Sequence, residues 1–241
     1  MIEEKEIVRY LDQTNLHPNA TTDEISKFIK EAKESNFYGV AIMPSWIPLA
    51  ADILKGSNTR IVAAIGFPVG TGTTEDKVEE TKWAIKQCEG KCKIDIDMVM
   101  NISLLKSGRY KEFRKDMAAV VKAADGKTVK VIIEVGYLTR EEIAIASLMA
   151  EAVGANFVKT STGFKQFDKW RPSTAEDVRL IRSIVGEKVQ VKIAGGVRTY
   201  EQALAVIEAG ATRIGTSSGI AIKAGYLGYK KLIDKKPEKF L

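Results

Sequence analysis

The sequence predicts an α/β fold, a (β/α)8 TIM barrel, and three observations predict it. Short runs rich in β-branched residues recur eight times, a longer stretch with helical spacing follows each of them, and no repeat, linker or low-complexity segment breaks the rhythm. Strict alternation implies parallel strands joined by right-handed crossovers. Eight units of roughly 30 residues each match a closed barrel of ordinary size, so residues 1–241 are expected to form a single barrel domain. An open doubly wound sheet is the alternative. The first strand is not followed by a Gly-x-Gly-x-x-Gly turn, so a nicotinamide cofactor has little support.

The expected strands are residues 8–14, 38–43, 60–67, 93–101, 129–135, 156–162, 189–195 and 212–218. Each is bounded by polar or glycine-containing turns and is too short for a helix. The intervening stretches carry helix signals. After the first strand, Ile25, Phe28, Ile29 and Ala32 form an i, i+3, i+4, i+7 stripe behind a Thr and Asp start. After the seventh, TYEQALAVIEAGA is closed by Gly210.

Composition excludes several classes. With 45% apolar, 28% charged and 7% aromatic residues, the chain suits a folded globular protein rather than a disordered or fibrous one. The net charge of +6 comes from cations interleaved with anions, which argues against a nucleic-acid partner. Only Lys230, Lys231, Lys235, Lys236 and Lys239 cluster, and they read as a solvated last turn. The first 13 residues lack an apolar segment of signal-peptide length, and no apolar run is long enough to span a bilayer, so a cytoplasmic protein without membrane contact is expected. Cys88 and Cys92 are expected as two reduced thiols on one helical turn. With His17 the only histidine, no metal site is expected.

In a barrel, alternate strand residues point inward, and chemistry gathers at the C-terminal ends of the strands. This phase brings polar residues to the axis: Asp95 and Asp97 from the fourth strand, Lys130 and Glu134 from the fifth, Lys159 and Ser161 from the sixth, Gln190 and Lys192 from the seventh. Lys159 and Lys192 lie on neighbouring strands, which implies ammonium groups roughly 5–7 Å apart. At an effective dielectric of about 20, charges about 6 Å apart repel by about 3 kcal/mol, or roughly two pKa units. A lysine neutral near pH 7 is a nucleophile for carbonyl carbon. The competing explanation is structural pairing of both lysines with Glu134 or Asp97. Favouring chemistry, Asp97 offers a carboxylate for proton transfer across the cavity. Small residues also end the last three strands: Ser161-Thr162-Gly163, Gly195-Gly196 and Gly215 to Gly219. Such ends suit a phosphate held by backbone N–H groups and a helix N-terminus begun by Ser217 and Ser218.

These residues carry a resemblance. The segments LDQTNL, IGFPVG, IDMVMN, VKTSTG, KIAGGVRT and RIGTSSG together, in this order from about Tyr10 to Gly219, resemble the deoxyribose-phosphate aldolase family of metal-free Schiff-base (class I) aldolases. The resemblance implies a (β/α)8 fold, no cofactor, and reversible cleavage of 2-deoxy-D-ribose 5-phosphate to D-glyceraldehyde 3-phosphate and acetaldehyde in deoxynucleoside breakdown. It also implies that Lys159 forms the Schiff base, that Lys192 lowers its pKa, and that Asp97 relays protons. Asp12 and Thr162 would contact the sugar hydroxyls, and Gly163, Gly195, Gly196, Gly215, Ser217 and Ser218 the phosphate. Thr160 and Arg198 lie in matching motifs without an assigned role.

Three departures stand out. His17 replaces a usual lysine, and Ala41 with Met43 stands where relatives often carry a cysteine and an Asn-Pro turn. The stretch FKQFDKWRPST is longer and more basic than usual; Lys165, Lys169 and Arg171 are candidate phosphate-lid residues, and Trp170 a candidate subunit contact. The family commonly forms dimers or tetramers, so a homo-oligomer is expected, with Trp46 and Trp83 as further contact candidates. Two alternatives stay open: a Schiff-base aldolase or transaldolase for another phosphorylated sugar, and a catalytically silent barrel that binds nucleic acid.

Overall fold

Eight short parallel strands turn an apolar face toward the surrounding helices and gather charged side chains on the barrel axis. In the computed structural model, which describes residues 4–164 and 171–234, these strands are β1 Leu11–Asn15, β2 Gly39–Ile42, β3 Arg60–Ile65, β4 Ile94–Val99, β5 Val129–Ile132, β6 Phe157–Lys159, β7 Gln190–Ala194 and β8 Arg213–Thr216. They pair in sequence order, and β8 returns to β1 to close the barrel, which removes every sheet edge. The outer ring contains α1 Glu4–Tyr10, α2 Thr22–Glu34, α3 Ile47–Ile53, α4 Thr74–Cys88, α5 Ile102–Lys106, α6 Tyr110–Ala123, α7 Arg140–Ala152, α8 Ala175–Ile184, α9 Tyr200–Glu208 and α10 Gly219–Asp234. No helix among the described residues is long and apolar enough to cross a membrane.

Strand β4 shows how the sequence divides the interior. All six residues of IDIDMV are buried; Ile94, Ile96 and Met98 join the apolar core under the helices, while Asp95 and Asp97 meet cations on the axis. Helix starts are fixed locally. Thr21 with Glu24, Thr139 with Glu142, Thr174 with Asp177, and Thr199 with Gln202 form capping boxes at α2, α7, α8 and α9. On α2, Ile25, Ile29 and Ala32 are buried and Phe28 is half-buried.

Several boundaries differ from expectation. The first run begins as a helix: Glu4–Tyr10 is α1, with Ile7 and Val8 in the core, and the strand starts at Leu11. The strands on the C-terminal side stop earlier than their apolar runs, because the chain turns at Glu134 (φ 53°) and at Gly195 (φ 79°). Helix α4 ends at Cys88 and the chain turns through Gly90 (φ 69°), so Cys92 lies beyond the helix, yet its N–H donates to the Cys88 carbonyl at 3.2 Å and the two free thiols meet. Trp46 packs against the core, Trp83 is exposed on α4, and Trp170 lies outside the described residues. Of the Lys-rich tail, Lys230 is exposed, and Lys235, Lys236 and Lys239 lie outside the described residues.

The turn after β3 is pinned from below. Lys77 of α4 bonds Asp116 of α6 at 2.7 Å with both side chains buried, and Thr74 Oγ1 donates to the other carboxylate oxygen at 2.9 Å. The Lys77 chain runs under Gly66, whose N–H donates to Glu80 at 2.8 Å. Gly70 (φ 71°) closes this turn where a Cβ would meet the Met100 carbonyl oxygen. The turn thereby presents Phe67 to the barrel mouth.

Removing one partner of a buried ion pair strands the other charge. Asp116→Ala is expected to cost about 3–5 kcal/mol, with a melting temperature lower by roughly 10 °C. Lys77→Met combined with Asp116→Leu should restore most of that loss in thermal denaturation followed by circular dichroism.

Candidate active site

Inward side chains of six strands, β1 and β3 to β7, form one charged column. At its lower end Arg60 donates to Asp95 Oδ1 at 2.9 Å, and Lys130 Nζ lies 2.8 Å from Asp95 Oδ2. Lys130 also lies 3.1 Å from Asp97 Oδ1. The other oxygen of Asp97 takes both remaining lysines, Lys159 at 2.7 Å and Lys192 at 2.8 Å, and Lys192 continues to Asp12 at 2.5 Å. Strand register creates this convergence, because Lys159 sits directly opposite Lys192, and Asp97 opposite Lys130.

Counting the column gives four cations (Arg60, Lys130, Lys159, Lys192) against three carboxylates (Asp12, Asp95, Asp97). Burying an unbalanced charge is expensive, so one proton is weakly held. Lys130 and Lys192 each touch two carboxylates, whereas Lys159 touches only the shared Asp97. Lys159 is therefore the group that yields. Burial lowers its pKa to about 8; Asp97 pulls it up, and Lys192 and Lys130 push it down. Burial also opposes the charge of Asp97 and Asp12, but the lysines outweigh it, and both carboxyls titrate below the usual range, Asp97 well below. Lys130 is held above the usual lysine range because Asp97 and Asp95 outweigh its burial. The two lysines meet as strand register predicts, but burial leads in lowering the Lys159 pKa and the neighbouring Lys192 charge follows.

Above the column opens a cavity of about 380 Å³, with Lys159 in its wall. Thr162 and Gly163 after β6, Gly195 and Gly196 after β7, and Gly215 with Ser217 at β8 line it, as the sequence predicts. Ser218, expected at the phosphate, is half-buried and not part of the cavity wall; its carbonyl accepts the Ile222 N–H at 2.9 Å to start α10. Gly196 (φ 128°) adopts a backbone that side chains rarely take, and a Cβ there would press on Pro172 and Ser173. Bare backbone of this kind beside a helix start suits an anion.

Other placements differ. Asp97 and Lys192 reach the cavity only through Lys159, and Asp12 is fully buried on Lys192 rather than in the cavity wall. Glu134 does not pair with Lys192 or Lys159; its carboxylate receives the Thr162 N–H at 2.9 Å. Gln190 is exposed at the lower end, paired with Thr212 at 3.0 Å. Thr160 is structural, exchanging hydrogen bonds with the Ala194 backbone. His17 and Arg198, read without a role, both line the cavity, as do Thr14 and Thr216, which strand phase and motif position had not singled out. Ala41 and Met43 lie outside its wall. Arg171 grips Asp177 of α8 through two bonds of 2.7 and 2.8 Å, which ties it to a helix start, whereas Lys165, Lys169 and Trp170 lie outside the described residues. Among the described residues, no three His, Cys, Asp or Glu side chains gather as a metal-binding group. Phe67 supplies an apolar side, its ring centre 5.4 Å from Lys159 Nζ, and meets Phe164 edge-on at 6.4 Å.

A buried, readily neutralised amine in the wall of a polar cavity is equipped for addition to a carbonyl group; comparison with known proteins gives the family. The profile of the DeoC/LacD family aldolases matches residues 7–224. A deoxyribose-phosphate aldolase of Thermococcus kodakarensis is 49% identical over 225 residues, covering 92% of this chain and 97% of that one. One from Streptococcus sanguinis is 48% identical over 217 residues, covering 90% and 95%. Among solved structures, the aldolase QR15 superposes with a TM-score of 0.87 at 36% identity, covering 95% of this chain and 99% of that one. The chain belongs to the DeoC/LacD family of aldolases.

Proposed function

We propose that this protein is a deoxyribose-phosphate aldolase that cleaves 2-deoxy-D-ribose 5-phosphate through a Schiff base on Lys159. The observation that carries the reading is the placement of Lys159, a buried amine whose one carboxylate partner is shared with two other lysines and which opens onto the cavity; burial lowers its pKa to about 8. Its neutral form adds to the C1 aldehyde of the open-chain sugar, and loss of water gives a protonated imine. A base then removes the C3 hydroxyl proton, the C2–C3 bond breaks, and its electron pair enters the iminium to form an enamine. C3 leaves as the aldehyde of D-glyceraldehyde 3-phosphate. Protonation at C2 and addition of water release acetaldehyde and restore the amine.

Asp97 suits the proton-handling role, because one of its oxygens already bridges Lys159 and Lys192, so a proton has a path between the amines and the carboxylate. Lys192 keeps positive charge beside the nucleophile and balances Asp12. Thr162 fits the sugar end of the cavity. Gly163, Gly195, Gly196, Gly215 and Ser217 fit the phosphate, with backbone N–H groups and the start of α10 after Ser218 supplying donors. Asp12 acts on the substrate only by way of Lys192. The reading places the enzyme in deoxynucleoside breakdown in the cytoplasm.

Incubation with acetaldehyde and borohydride should leave one reduced adduct on Lys159, read by peptide mass spectrometry, and Lys159→Ala should abolish both adduct and turnover. An adduct spread over surface lysines would remove the reading. Since the neutral amine reacts, the adduct should form faster as pH rises through about 8. Lys192→Leu leaves Asp97 to pull the Lys159 pKa upward by roughly two units. The neutral fraction at pH 7, and the adduct rate with it, should fall about 100-fold, and wild-type activity at pH 7 would contradict the charge argument. A homo-oligomer, dimer or tetramer, is also part of the reading, supported by the exposed apolar side chains of Trp83 on α4 and Leu148 on α7. Sedimentation velocity showing only monomer at micromolar concentration would exclude it.

A further inference from the structure

Among the described residues three non-glycine positions adopt positive φ: Asn36, Asp125 and Glu134. Short Asn and Asp side chains tolerate that conformation; a glutamate there is unusual, and glycine would fit without strain. At φ 53° and ψ 64°, Glu134 ends β5 by turning its carboxylate across to the loop after β6. The side chain is 1% exposed. Its Oε2 receives the N–H of Thr162 at 2.9 Å, the hydroxyls of Ser161 and Thr162 stand beside the carboxylate, and Oε1 has no hydrogen bond of its own. The two segments are already joined, since Ile133 N–H donates to the Lys159 carbonyl at 2.9 Å and Val135 N–H to that of Thr160 at 2.8 Å. Backbone pairing therefore does not require this side chain, and an uncommon backbone is spent on placing one more acid beside Lys159.

We propose that Glu134 is a positioning residue of the Lys159 centre, a buried carboxylate that fixes Thr162 in the cavity wall and sets a second negative charge beside the nucleophile. The inference rests on the Schiff-base reading of Lys159. The groups facing Lys159 are Asp97 of β4, Lys130 of β5, Lys192 of β7 and Glu134; those facing Glu134 are Lys159 and Tyr137, with the Ser161 and Thr162 hydroxyls. The two groups are electrostatically coupled. Burial raises the Glu134 pKa, whereas the bonds from Thr162 and the charge of Lys159 lower it. Loss of the Lys159 proton ahead of attack removes part of that support, and the positive charge of the iminium restores it. Glu134 thus favours the cationic states of the nitrogen, the ammonium and the iminium, over the neutral amine between them. Through Thr162 the same carboxylate fixes a wall that contacts substrate.

The test is Glu134→Gln, which keeps an acceptor for the Thr162 N–H and removes the charge. Its readout is the rate of borohydride-trapped acetaldehyde adduct formation at Lys159 against pH. Removing one negative charge lowers the pKa of a neighbouring ammonium, so the acid limb should move to lower pH, by roughly one unit. Glu134→Asp, which keeps the charge on a shorter chain, should retain the wild-type midpoint and show a raised KM from a loosened Thr162. An unmoved limb in Glu134→Gln, or an equal shift in both variants, overturns the inference while leaving the aldolase reading intact. Absence of any adduct on Lys159 in the unaltered enzyme overturns that reading and the inference with it. Should Glu134→Gln not fold, a shifted midpoint in Glu134→Asp still overturns the proposal.

Discussion

The interior of this barrel is organised by one carboxylate with too many partners. Asp97 is buried and shared among three ammonium groups, of which Lys130 and Lys192 each hold a second carboxylate while Lys159 touches Asp97 alone. In water such sharing would have little consequence, since charges 3–4 Å apart interact by only about 1 kcal/mol. Inside a closed sheet the same geometry becomes a competition, and the amine with the fewest anionic neighbours loses its proton most readily. Strand spacing, register and burial all contribute, so the chemistry of Lys159 belongs to the fold as much as to the residue.

The same competition explains why polar residues gather where a core would be expected. Asp95, Asp97, Lys130 and Lys192 are nearly inaccessible, and each would be costly alone. Together with Asp12 and Arg60 they neutralise one another, and the apolar core moves outward to the layer between strands and helices. At the lower end, the guanidinium groups of Arg60 and Arg213 stand over the Tyr38 ring, at 4.2 and 3.2 Å from its centre. Aromatic and cationic surfaces fill that mouth, while the loops at the upper mouth leave room for a ligand.

Much of this was legible in the sequence, for physical reasons that also mark where legibility ended. A period of two in the strands is a local property, so the inward phase of Asp97, Lys130, Lys159 and Lys192 could be read directly. The glycine-rich ends after β6, β7 and β8 were legible as a local composition: Gly163, Gly195 and Gly196 take a left-handed backbone, and at Gly215 a Cβ would crowd Ala194 and Lys192. Strand ends were not, since Ile133 and Val135 continue the β-branched pattern after the chain has left the sheet. The α1 helix was hidden because Val8 and Leu11 suit a strand equally well. The partner of Asp12 was invisible because it lies 180 residues away, and distance in sequence carries no local signal. Likewise the lead of burial over like-charge repulsion at Lys159 depends on packing, which no spacing encodes.

The closure of the barrel joins the two ends of the chain through side chains as well as strands. Asp12 takes Lys192, Gln13 accepts the N–H of Gly219 at 2.9 Å across 206 residues, and the Arg9 carbonyl receives Arg213. The first strand leaves the ribosome early, yet its acid and amide are unmatched until the last quarter of the chain has followed. Contacts of such sequence separation form late and as a group. An emerging chain therefore lacks the Asp12–Lys192 contact, and with it one end of the charged column, until β7 has been made. Closure of the barrel and completion of the charges around Lys159 are thus one event, set by the last strands to be made.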